Sequence, residues 1–109
     1  MRIVKTFFRK HIDLDHIVAI SDAYITYIPW IGHSRPAVEF SIEFALRDEP
    51  MRHTRLLTEK EYSGGMFVME DGSFIDAPHS EEFKGRKTVA EVNLQAQIDE
   101  LIFDWKHKT

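Results

Sequence analysis

Four residues near the start of the chain have the types and spacing of a metal site. His11, Asp13 and Asp15 occupy alternate positions, with His16 beside the last of them. In an extended chain alternate side chains share a face, so one imidazole and two carboxylates would project together. That mixed nitrogen–oxygen set suits a divalent ion, and with it a metal-dependent hydrolase or nuclease-like activity. Neighbours on one strand face stand about 6.6 Å apart, whereas ligands must converge to about 2.1–2.4 Å from the metal. A straight strand cannot close that gap; a bend or a partner strand has to help. The competing reading is a charged edge segment kept soluble by its carboxylates.

A second set of residues has the chemistry of recognition. Trp30, His33 and Arg35 lie between Pro29 and Pro36, two residues that cannot donate to a ladder, so residues 29–36 are expected to form a loop. Tryptophan and arginine held on a loop are typical anchors of protein interfaces. Alternatively, Trp30 and Ile31 tuck back over the sheet edge and close the core. Glu39 and Glu43 share one face of a strand, and His53 is placed to approach them as a cross-strand ionic pair. Paired carboxylates do acid–base work only where burial drives their affinities for protons apart, and this face is expected to be wet.

The remaining catalytic signatures are missing. The chain has no phosphate loop, dinucleotide fingerprint or His-Glu-x-x-His, and no usable Ser-His-Asp spacing. It has no cysteine, which excludes disulfides, thiol catalysis and cysteine-ligated metal. No cofactor is expected, and the balance weighs against an enzyme. The net charge of −4 opposes non-specific binding to nucleic acid, despite short basic clusters at Arg2–Lys10 and Lys84–Lys87.

The elements that would position these groups follow from periodicity. From Ala37 to Arg47, Val38, Phe40, Ile42, Phe44 and Leu46 alternate with Glu39, Ser41, Glu43 and Arg47. That is a strand with one apolar and one wet face, and a slip of one residue would put five large apolar groups into water. Residues 2–9, 17–20 and 23–28 also read as strands. Met51 to Leu57 is expected to return antiparallel, and Asp71-Gly72 to close a hairpin with a type I′ turn. Residues 58–65 read as a mobile loop or one helical turn, and 77–85 as a loop.

Leu94, Ile98, Leu101, Ile102 and Trp105 mark an amphipathic C-terminal helix. Its start is contested. Thr88 with Glu91 offers a capping box, whereas the stripe leaves Val89 and Val92 on the opposite side and favours a start near Asn93, with 86–92 extended.

The sum is a single α+β domain over residues 1–109: one antiparallel sheet of five to seven strands, open or rolled, and one covering helix. That order of elements resembles the pleckstrin-homology-like superfamily, although Trp105 does not fall where its usual tryptophan does. Separately, Leu14 to Tyr24 (Leu-Asp-His-Ile-Val-Ala-Ile-Ser-Asp-Ala-Tyr) is similar to a segment of small phage and prophage proteins of Gram-positive bacteria. The resemblance implies a prophage accessory or interaction protein and carries no defined chemistry. A charge-threaded N-terminus without a signal peptide's apolar core points to the cytoplasm. The leading expectation is a non-enzymatic binding module that captures a protein partner through Trp30, His33 and Arg35. A homodimer is expected over the second sheet face, where Tyr24, Tyr27 and Trp30 are available.

Overall fold

The structure, a computed structural model, describes residues 1–76 and 85–107. Its strands are β1 (Ile3–Lys5), β2 (His11–Asp13), β3 (Ile17–Ile20), β4 (Tyr24–Trp30), β5 (His33–Phe44), β6 (Met51–Leu56), β7 (Tyr62–Ser63), β8 (Met66–Val68) and β9 (Phe74–Ile75). A single 3-10 turn, Leu14–His16, separates β2 from β3, and the helix α1 runs from Val89 to His107. The α+β class with one C-terminal helix is as expected. The strands, however, divide into three antiparallel ladders rather than one sheet: β1–β2, the group around β5, and β7–β8–β9.

Everything is built on β5. Along one edge it pairs with β3 and then β4, which behave as a single kinked strand; along the other it pairs with β6 from Ala37↔Leu56 to Ile42↔Met51. Ser21 bridges the kink, its amide donating to the Ser41 carbonyl at 2.9 Å and its Oγ accepting from the Ser41 amide at 2.8 Å. Val38, Phe40 and Ile42 are buried as the alternation requires and pack with Leu14, Phe67, Met69, Leu94 and Ile98. Leu46 does not join them: β5 ends at Phe44, and Leu46 is 81% exposed in the turn that follows.

Two boundaries differ from expectation for identifiable reasons. The first strand stops at Lys5 because Thr6 closes a turn, its amide donating to the Lys10 carbonyl at 2.8 Å with Arg9 at φ 63°. Phe7 and Phe8 thereby turn inward onto Phe40 and His53. The helix starts at Val89, so the capping box prevails over the stripe. The Glu91 amide donates to Thr88 Oγ1 at 3.2 Å and Glu91 Oε1 accepts from the Thr88 amide at 3.1 Å, both residues being buried. The stripe then includes Ala90 and Glu91 beside Leu94, Ile98 and Leu101, and of the two valines Val92 is the one left facing out. The Asp71-Gly72 turn forms, but only Gly72 has positive φ, so it is not type I′; Asp71 instead accepts from the Ser73 amide at 3.0 Å. The segment expected to be mobile or helical holds the short β7 hairpin, and the loop expected at 77–85 lies outside the described residues except for Gly85.

Candidate functional site

The Pro29–Pro36 segment is not a loop. β4 and β5 pair without interruption to Trp30↔His33, leaving only Ile31 and Gly32 as the turn, with Gly32 in the left-handed region at φ 71°. The prolines are tolerated for a geometric reason. In an antiparallel strand the N–H and C=O of one residue point to the same edge, and neighbouring residues alternate edges. The Pro36 carbonyl accepts from the Leu57 amide at 3.3 Å, so Pro36 faces the β6 side and owes β4 no donor. Pro29, opposite Ser34 and two pairs further along, sits in the same kind of non-hydrogen-bonded pair.

Because β6 reaches only to the level of Ala37, the last turns of this hairpin continue as a two-stranded arm. The molecule is correspondingly long, with a radius of gyration of 15.5 Å and extents of 46 × 32 × 24 Å; a compact domain of this length has a radius near 13 Å, roughly. On one face of the arm Trp30, Arg35 and His33 stand together. The Arg35 guanidinium lies 5.2 Å from the Trp30 ring centroid, a cation–π contact that holds the indole in place. His33 Nδ1 is 2.8 Å from the Ile31 carbonyl. Trp30 is 47% exposed and Ile31 90% exposed, so neither closes the core. Along the β5 side of the arm, His33, Ser34, Arg35 and Pro36 line a cleft of about 340 Å³ whose other wall is Leu57, Thr58, Glu59 and Tyr62.

The acidic cluster is arranged differently from a metal site. Asp13 Oδ1 caps the 3-10 turn, accepting from the Asp15 amide at 3.0 Å and the Arg2 amide at 3.2 Å. The Asp15 amide in particular holds its carboxyl below the usual aspartate range. Asp15 is taken by Arg2, whose Nε donates to Oδ1 at 2.6 Å, and by the N-terminal ammonium at 3.3 Å. His16 Nδ1 stands 3.7 Å from Asp13, and His11, Asp13 and His16 line an open groove of about 210 Å³ with Phe44, Arg47 and Met51. Among the described residues no three histidine, aspartate or glutamate side chains converge to hold a metal ion. The bend required of the segment exists, but it turns the carboxylates toward backbone amides and Arg2.

The two glutamates of β5 are not an acid–base pair. Glu39 accepts from the Tyr24 hydroxyl at 2.6 Å and from Thr54 Oγ1 at 2.5 Å, while Glu43 is exposed further along. His53 pairs with Phe40, not Glu39, and its ring packs among Phe7, Phe8 and Phe40. Burial, and then the charge of Arg55, push its pKa below the usual histidine value.

One buried charge escaped sequence reasoning. Glu61 is 4% exposed and takes a bidentate contact from Arg55 at 2.7 and 3.0 Å, with the Thr58 amide at 2.9 Å and Asn93 Nδ2 at 3.3 Å. Burial raises its pKa, but these donors outweigh burial and bring it down to about 2. The local signal for it is the Thr58-x-x-Glu61 spacing, the same as Thr88-x-x-Glu91; what no local pattern gives is Arg55, on the core side of β6 opposite Val38. No helix of the described residues is long and apolar enough to cross a membrane. No family model, curated protein or solved structure matches the chain.

Proposed function

We propose that the protein is a binding module whose β4–β5 arm is the element that engages a protein partner. The observation that carries this reading is the arm's tip. Trp30 and Ile31 are held out beyond the sheet by a continuous ladder, and Arg35 stacks on the indole. A rigid aromatic with an adjacent guanidinium is the pairing that dominates binding energy at interfaces, and its ordering cost is already met here by the ladder. The cleft along the β5 side of the arm adds a space walled by His33 and Tyr62 that a partner segment can fill. The similarity of residues 14–24 to small phage and prophage proteins supports an accessory interaction role in keeping with this reading.

Trp30→Ala and Arg35→Ala test it. Each is expected to weaken capture of a partner from the source cell by tenfold or more, the order for one lost anchor. Each should leave the melting temperature within a few degrees of the parent, because both side chains lie outside the core. Phe103→Ala, an exposed aromatic on α1, serves as the control and should change neither. Retention of full capture by both arm variants would remove the arm from the interface.

A further inference from the structure

We infer that the outer edge of β4 pairs with β4 of a second copy, in a two-fold antiparallel ladder. The inference is carried by the backbone edge of the strand and is tested at Tyr27, a residue to which the partner-binding reading gives no role. From Ala23 to Ile31 the sequence reads Ala-Tyr-Ile-Thr-Tyr-Ile-Pro-Trp-Ile, nine residues without a charge. Seven of them form a regular strand about 24 Å long, at about 3.4 Å per residue, with β5 on one side only. Exposed edges of this length are normally blunted with lysine, other charges, proline or a bulge. The opposite edge strand, β6, is protected by Arg52 and by Arg55, which points inward to Glu61; β4 carries no charge, and of these devices it has only Pro29.

The backbone groups on this edge are available. Since Pro36 faces β6, its partner Tyr27 is a non-hydrogen-bonded pair with respect to β5, and so is Ile25 opposite Val38. Their N–H and C=O groups therefore point away from β5, and among the described residues no hydrogen bond reaches them. The Ala23 amide shows the same orientation by donating outward, to Gln95 Oε1 of the helix at 2.8 Å.

A two-fold axis at Tyr27 satisfies this edge with itself. Tyr27 would exchange both backbone bonds with its copy, and each Ile25 amide would donate to the Pro29 carbonyl across the axis. The missing proline N–H removes one donor per side and blocks no acceptor. On the other face Tyr24 of each chain would oppose Trp30 of its copy in a close, non-hydrogen-bonded pair, where aromatic partners gain most. Asp22, the nearest charge before the strand, would fall at the level of Gly32 of the copy. No like charges meet along the paired span, although each chain carries −4 overall. The product is a continuous sheet running β6–β5–β4 and then β4–β5–β6 of the copy, with isologous contacts.

Sedimentation velocity from low to high micromolar chain concentration reads the result directly. The parent should move from monomer to dimer over that range. Tyr27→Lys and Tyr27→Glu place like charges opposite each other on the axis, so each alone should sediment as a monomer. An equimolar mixture of the two should recover a dimer. Hydrogen exchange adds a readout that needs no variant: the Ile25 and Tyr27 amides should be protected at dimer concentrations and exchange freely on dilution. A parent that stays monomeric throughout overturns the inference. So does a dimer in which Tyr27→Lys associates as tightly as the parent or in which the two amides gain no protection. A monomeric parent that still loses its partner through Trp30→Ala would overturn the pairing and leave the binding role standing.

Discussion

At the scale of single residues, the group under most tension is Glu61. Its carboxylate is buried, so its ionised form persists only because Arg55, the Thr58 amide and Asn93 supply the hydrogen bonds that water would have given. Its pKa is depressed from 4.5 to about 2 in the folded state. The corresponding stability is fully present above pH 4.5 and is lost as the pH falls from there towards 2, amounting to on the order of 3 kcal/mol. Glu61→Gln should therefore cost about 1.5–3 kcal/mol at neutral pH, because the partly exposed Arg55 and the Thr58 amide lose a charged acceptor. It should also flatten the acid limb of stability, measured by urea unfolding at pH 7 and pH 3. A neutral-pH loss under half a kilocalorie, roughly the size of a surface change, would mean the pair is solvated. The same scale explains the acidic cluster at residues 11–16. Its residue types suit a metal, yet Asp13 serves as a cap and Asp15 as the counter-ion of Arg2 and the N-terminus. That outcome was not legible from spacing, because Arg2 approaches through the β1–β2 pairing, which no local pattern encodes.

At the scale of elements, the helix start and the arm show which local signals prevail. The Thr88–Glu91 box was legible in the sequence and is formed, while the apolar stripe pointed to a later start. The stripe misled because it treats Val89 and Val92 as needing burial, and helices routinely leave one such residue exposed; Val92 is 38% exposed. The box satisfies amide donors that have no alternative partner in a buried helix start. Thr88→Ala should accordingly lower stability by about 1–2 kcal/mol, seen as a drop of several degrees in the melting temperature by circular dichroism. An unchanged melting temperature would show that the first turn of α1 frays without loss. The prolines of the arm misled in the opposite direction. They were expected to break pairing, and they do not, because each sits where the ladder to its hairpin partner asks for no donor. Whether a proline breaks a strand depends on parity within the register, and the register is set by the whole of β5.

At the scale of the molecule, the protein is an elongated α+β body in which one long strand joins a packed end to a projecting arm. The core is assembled where all three ladders and α1 meet; beyond Ala37 only β4 and β5 continue. A two-stranded ribbon is marginal by itself. Pairing through β4 would give that ribbon a third strand, and so couple arm stability to association. The melting temperature of the parent should rise with chain concentration, while that of Tyr27→Lys should not, as mass action requires of a state that binds its own kind only when folded. A concentration-independent melting temperature for the parent would separate the arm's stability from any dimer.

The sequence by itself determined those features whose cause is local. The two-residue period of β5, the return of β6, the glycine-bearing turn at Asp71-Gly72 and an amphipathic C-terminal helix all follow from backbone geometry acting over a few residues. The residue types of the candidate site were legible too: Trp30, His33 and Arg35 were marked by type and by their place between two prolines, and although that segment is strand and not loop they do share one face. Only the tertiary structure decided that these residues stand on an arm rather than a loop, that the indole is held out instead of closing the core, and that the strands separate into three ladders. It also decided that Arg55 meets Glu61 inside. The ladders and the burial of the Arg55–Glu61 pair depend on which other elements pack against them, and the arm depends on a register parity that puts both prolines where no donor is needed; neither leaves a period in the chain.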